Sequence, residues 1–170
     1  MQWKSNRLQR NENRIGQLMK AQDVSNIDIA NFLPHREPML MVTSVLEIDE
    51  NSVSTQFHIT EDCVFLDNGK LSETGLIENA AQAASGVVGQ TFFEKDDLEG
   101  TGNKLVGYIS AIKKVEIFQL PRVGETIVTK AKLLSRFDTG EMTMCSLEAE
   151  TFLDEKLIVS STMNFLIHEV

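Results

Sequence analysis

From Thr74 to Phe93 the chain runs for twenty residues with a single ionisable side chain, Glu78. A carboxylate in such apolar company loses hydration, which favours its neutral form and makes it a candidate proton donor. Proton transfer also needs a base, and the chain offers three histidines, His35, His58 and His168. His58 precedes Glu78 by twenty residues, on the polar phase of an alternating segment. His35 sits among Pro34, Arg36 and Pro38, neighbours that point to a structural role, and His168 is almost terminal. Lys70 would need a pKa several units below its usual ~10.4 to act as a base, so it reads as a surface lysine. Cys63 and Cys145 lack CxxC spacing and read as reduced packing residues. The histidines have no ligand spacing, so no metal site is expected. Two plainer readings stand beside these: Glu78 as a hydrogen-bonded carboxylate at a subunit seam, and His58 as a solvent-facing histidine.

The elements that must position these groups follow from periodicity. Leu76, Ala80, Ala83 and Val87 share one stripe of a helix over 74–93, with Glu78, Gln82, Ser85 and Gly89 opposite. Ser72 is a fitting N-cap, and Glu73 suits the first turn. A helix apolar nearly all round belongs in an interior. Before it, Asn26 to Phe32 can form a short helix stopped by Pro34, and residues 39–48 read as a strand buried on both faces. Val53, Thr55, Phe57 and Ile59 alternate with Ser54, Gln56, His58 and Thr60, the signature of a half-buried strand. After a charged loop at 94–104, strand-like runs follow at 105–120, 126–137, 142–153 and 157–167, the last two joined around Asp154-Glu155-Lys156. Strand, strand, helix and four strands predict an α+β domain with a long helix against a six-stranded antiparallel sheet.

Composition bounds the rest. At 170 residues and 42% hydrophobic, the chain suits one domain, expected over 25–170. Residues 1–24 read as a polar basic extension, because through Lys20 the chain carries Lys4, Arg7, Arg10, Arg14 and Lys20 against only Glu12. A net charge of −9 argues against a nucleic-acid surface. No apolar run approaches the roughly 18 residues of a membrane span, and no apolar stretch follows the basic start, so the cytoplasm is the expected compartment.

Four stretches, in order, resemble the hotdog-fold 3-hydroxyacyl-(acyl carrier protein) dehydratases. Leu33-Pro34-His35-Arg36-Glu37-Pro38-Met39-Leu40-Met41-Val42 is similar to the family's LPHRxPxLLVD opening. The run from Gly75 to Ala84, GLIENAAQAA, resembles its central helix, with the carboxylate four residues before Gln82-Ala83. Phe118 to Ile127 resembles the turn FxxPVxPGDxL, and the final hairpin resembles the family's closing one. The likeness covers about Asn26 to Ile167. One feature departs: the main branch carries its histidine in a GHFPxxPxxPG segment fourteen residues before the helix carboxylate, where this chain has Val64. A divergent branch associated with aryl-polyene-type pigment clusters is similar in placing a histidine about twenty residues before the glutamate, the spacing of His58.

The resemblance implies a hotdog fold, a homodimer or higher oligomer, and substrate delivered on the phosphopantetheine arm of an acyl carrier protein, with no other cofactor. It implies dehydration of 3-hydroxyacyl thioesters, with Glu78 as acid and His58 as base. Gly75 and Leu76 are then expected to bind the thioester, offering backbone N–H groups to its oxygen, and Gln82 to support the site. Two alternatives remain open at this point: a non-catalytic subunit that binds acyl chains or pairs with an active paralogue, and an acyl thioesterase working through a carboxylate-activated water.

Overall fold

A computed structural model describes residues 27–90, 105–140 and 142–169. The proposed extension over 1–24, the loop at 94–104 and the last turn expected of the long helix lie outside the described residues.

Eight strands and two helices are described: α1 (Ile29–Phe32), β1 (Ser44–Ile48), β2 (Ser52–His58), β3 (Leu66–Asp67), β4 (Lys70–Leu71), α2 (Glu73–Gln90), β5 (Leu105–Ile117), β6 (Thr126–Asp138), β7 (Thr143–Leu153) and β8 (Lys156–Glu169). Six of the strands form one antiparallel sheet in the order β1-β2-β6-β7-β8-β5, with β3 and β4 as a separate small hairpin. One helix against six antiparallel strands is the hotdog architecture. Register shifts interrupt β1, β5, β6 and the β7–β8 pairing. Each such irregularity adds local twist and lets a sheet curl.

Alternation places the core. On β7, Thr143, Cys145, Leu147, Ala149, Thr151 and Leu153 are buried, while Met144 and Glu148 face outward. On β2, Val53, Thr55 and Phe57 are buried as the period of two requires, and Ile59, just past its end, continues the phase. The helix stripe Leu76, Ala80, Ala83 and Val87 has no solvent exposure at all. Burying a large apolar side chain contributes about 1.5–3 kcal/mol, so this stripe is a main anchor of α2 on the sheet. Positive φ at Asp154 and Glu155 makes the β7–β8 connection a tight two-residue turn whose twist matches its strands.

The apolar interior falls into two clusters. One surrounds the C-terminal half of α2, with Ala84, Val87, Leu147, Met163 and Phe165. The other surrounds its start, with Met41, Ile59, Leu71, Leu76, Ile127 and Ile158. A belt of buried threonines runs between them. Thr55 on β2, Thr129 on β6 and Thr151 on β7 are register partners in succession, and none is exposed.

One expected element is shorter than its sequence suggested. Residues 39–48 do not form a strand buried on both faces: β1 begins only at Ser44, and Leu46 and Glu47 are exposed. Met39 and Met41 make backbone hydrogen bonds to side chains of α2 instead of to a neighbouring strand. An apolar run cannot by itself distinguish these two ways of being satisfied.

Candidate active site

The start of α2 is fixed by Ser72. Its hydroxyl accepts from Gly75 N at 3.3 Å, and its carbonyl accepts from Leu76 N at 3.0 Å. The cap satisfies helix donors that would otherwise lack partners. The two amides expected to meet a thioester oxygen are therefore already engaged within the chain. Gly75 is glycine for a packing reason: a Cβ there would lie 2.7 Å from Phe65 Cβ and 2.6 Å from Leu71 Cδ1. Phe65 precedes and Leu71 ends the β3–β4 hairpin, whose Asn68-Gly69 turn has positive φ at both residues. That Asn-Gly pair was the available sign of a hairpin before the helix.

One turn into α2, Glu78 is neither sealed nor free in solvent. Its side chain is 28% exposed, and 3.8 Å from its Oε1 stands Nε2 of His35, whose side chain is 32% exposed. That separation exceeds a hydrogen bond, so the two groups stand side by side without a direct bond. The imidazole Nδ1 of His35 is buried and, among the described residues, has no hydrogen-bond partner.

Gln82 ties the pair together. Its Oε1 accepts from Met41 N at 2.8 Å, which turns its amide nitrogen the other way. That nitrogen donates to Glu78 Oε1 at 2.7 Å and to Met39 O at 2.8 Å. The segment leading back to His35 is held from its other end by Arg36, whose Nη1 donates to Leu33 O and His35 O, each at 2.8 Å. Glu78, Gln82 and His35 thus form one constellation, built from a helix face and an irregular segment pinned onto it.

His58 lies elsewhere. It ends β2 on the exposed face; its Nδ1 is 3.0 Å from Thr126 Oγ1, and its backbone N–H donates to Thr43 Oγ1 at 3.0 Å. The histidine within reach of Glu78 is His35, whose proline and arginine neighbours point first to a structural role. Two signals were present: its place in the opening motif, and Gln82 at one turn from Glu78, able to bond both the carboxylate and a passing backbone. His168 is stacked on Tyr108 at a centroid distance of 5.9 Å, remote in role from the carboxylate. Cys145 is buried among apolar side chains, which pushes its thiol up, with Arg136 pulling weakly the other way. Among the described residues, no group of three or more His, Cys, Asp or Glu could hold a metal ion.

Comparison with known proteins places this geometry. A family model described as ApeP-like, ApeP dehydratase, matches residues 27–166. The 3-hydroxyacyl-[acyl-carrier-protein] dehydratase FabZ of Streptococcus mutans is 32% identical over 150 residues, covering 85% of this chain and 97% of that protein. FabZ of Streptococcus thermophilus strain LMD-9 is 30% identical over 141 residues, covering 82% and 94%. Among solved structures, the dehydratase heterocomplex ApeI:P from Xenorhabdus doucetiae superposes with a TM-score of 0.64 at 22% identity, covering 84% of this chain and 90% of that one.

Proposed function

The chain belongs to the ApeP-like dehydratase family, and from that premise we propose that it dehydrates 3-hydroxyacyl thioesters carried on acyl carrier protein, with Glu78 and His35 as the acid–base pair. The observation that carries this reading is the 3.8 Å approach of His35 Nε2 to Glu78 Oε1 under the grip of Gln82. Elimination breaks the bond from the α carbon to its proton and the bond from the β carbon to its hydroxyl. A double bond forms between the two carbons, and water leaves. One group must take the α proton while another protonates the departing oxygen. Imidazole suits the first task near neutral pH. Glu78 suits the second: Oε1 is occupied by the Gln82 N–H, leaving Oε2 to carry and deliver the proton. His35 takes the base role in place of His58 because His58 is committed to Thr126 on the exposed end of β2. The acyl group would arrive on a phosphopantetheine arm, as the carrier-linked substrate of the FabZ relatives implies.

Pairing with a second hotdog subunit belongs to the same reading. β5 is an edge of the six-stranded sheet, and it leaves Tyr108, Ile109 and Ile112 exposed, Tyr108 by 57%. A long apolar edge strand left unpaired is a liability that a partner removes. The heterocomplex ApeI:P favours a paralogue as that partner, with a second copy of this chain as the alternative.

The test incubates the chain with 3-hydroxyacyl-carrier protein, alone and with its paralogue, and follows intact mass. Loss of one water from the acyl carrier is expected, and Glu78→Gln should abolish it while circular dichroism stays unchanged. Release of free holo-carrier would replace dehydration with hydrolysis. Turnover only with the paralogue, undiminished by Glu78→Gln, would assign this chain a non-catalytic place in the pair.

A further inference from the structure

The threonine belt connects to the candidate site through one residue, Asn79. It follows Glu78 in α2, but its side chain points into the core and is 1% exposed. Its Nδ2 donates to Met41 O at 2.6 Å, and Thr129 Oγ1 donates to its Oδ1 at 2.6 Å. Thr129 Oγ1 lies in turn 3.0 Å from Thr151 Oγ1.

The direction of every bond in this string is determined. Met41 O only accepts, so the amide nitrogen of Asn79 must face it and Oδ1 must face Thr129. The single hydroxyl proton of Thr129 goes to that Oδ1, so Thr151 must donate to Thr129. Donation runs one way, from β7 through β6 and α2 to the backbone of Met41. Met41 is thereby held at both polar backbone atoms, its carbonyl by Asn79 and its N–H by Gln82. A hydrogen-bonded string costs desolvation and adds little net stability compared with a well-packed apolar core. It does add a fixed geometry, since each member has one orientation and each bond polarises the next.

We propose that Asn79 is a positioning residue: through Met41 it sets the course of the 35–41 segment, and so the placing of His35 against Glu78. The inference rests on the dehydratase reading for its kinetic consequence, but its geometric content is independent of activity. The Gln82 side chain bonds the carboxylate itself; the Asn79 side chain bonds neither Glu78 nor His35 and acts through the segment it anchors.

The test uses Thr129→Val, which keeps the side-chain shape and removes the donor to Asn79, with Thr129→Ser as the conservative rescue. In the full chain labelled at histidine, the His35 imidazole resonance, assigned by its loss in His35→Asn, should shift or broaden in Thr129→Val and return in Thr129→Ser. With 3-hydroxyacyl-carrier protein, kcat should fall roughly tenfold to a hundredfold with KM changed less than about threefold, since a misplacement near 1 Å has that scale of effect. A role confined to stability would lower Tm and leave kcat per folded molecule intact. If Thr129→Val does not fold, Thr151→Val carries the same test one bond further away, with a smaller shift expected. An unmoved His35 resonance in a folded variant overturns the proposal whatever the activity. A shifted resonance in a protein whose wild type shows no turnover supports the positioning role and removes the dehydration reading instead.

Discussion

His35 and His58 stand on regions built by opposite means. His58 ends a regular strand: its residue pairs with Thr126 across β2 and β6, and alternation alone sends its side chain outward. His35 stands on a segment with no ladder at all, held to α2 by the side-chain amides of Asn79 and Gln82. A ladder satisfies its backbone cheaply and repeats; a segment pinned by buried side chains is costly to make and has one conformation. Precise placement of a reacting group is better served by the second arrangement.

The sharpest way to break this contrast is to remove each imidazole in turn. His35→Asn should lower kcat by about a hundredfold or more, the usual contribution of a positioned general base. His58→Asn should change it less than about twofold, on the scale of a surface substitution. Steady-state rates with 3-hydroxyacyl-carrier protein decide the matter, and the opposite ranking would return the base role to His58.

Next in size is the support beneath His35. Gln82→Met conserves volume but leaves Met41 N–H and Met39 O without their partners and frees Glu78 Oε1. Met41 is fully buried whereas Met39 is exposed, so the main cost is the unpaired Met41 N–H, about 1–3 kcal/mol. Tm should therefore fall by roughly 2 °C or more for a chain of this size, and kcat by about tenfold as the pair loosens. A variant as stable and active as wild type would show that the amide grip on the segment is dispensable.

Much of the fold was legible because it is periodic. The stripe Leu76, Ala80, Ala83 and Val87 announces α2, and Val53, Thr55, Phe57 and Ile59 announce the inward face of β2. Glu78 was legible for the complementary reason, as a lone charge where the pattern allowed none. The histidine that stands beside it, His35, was not. Its identity depends on where the non-periodic segment from Leu33 to Thr43 returns to the helix, and that is set by amide hydrogen bonds 38 to 43 residues apart in sequence. Spacing along the chain favoured His58 because it counts residues, whereas proximity here is decided by Asn79 and Gln82. The Gly75 and Leu76 amides carry a bond that spacing alone does not display: Gly75 N–H donates to the Ser72 hydroxyl and Leu76 N–H to the Ser72 carbonyl.

The smallest effect belongs to the support of His58. Its Nδ1 has Thr126 Oγ1 at 3.0 Å, both residues exposed. Thr126→Val removes that partner while keeping a β-branched side chain suited to the strand. Water replaces the lost bond at an exposed site, so stability should change by less than about 0.5 kcal/mol and kcat should be unaltered. The measurement is a pair of urea titrations alongside the rate assay. A rate loss in Thr126→Val comparable to that of Gln82→Met would mean that the hydroxyl orients a working imidazole. In that event the exposed end of β2, and not the pinned segment, would be the side from which the thioester is approached.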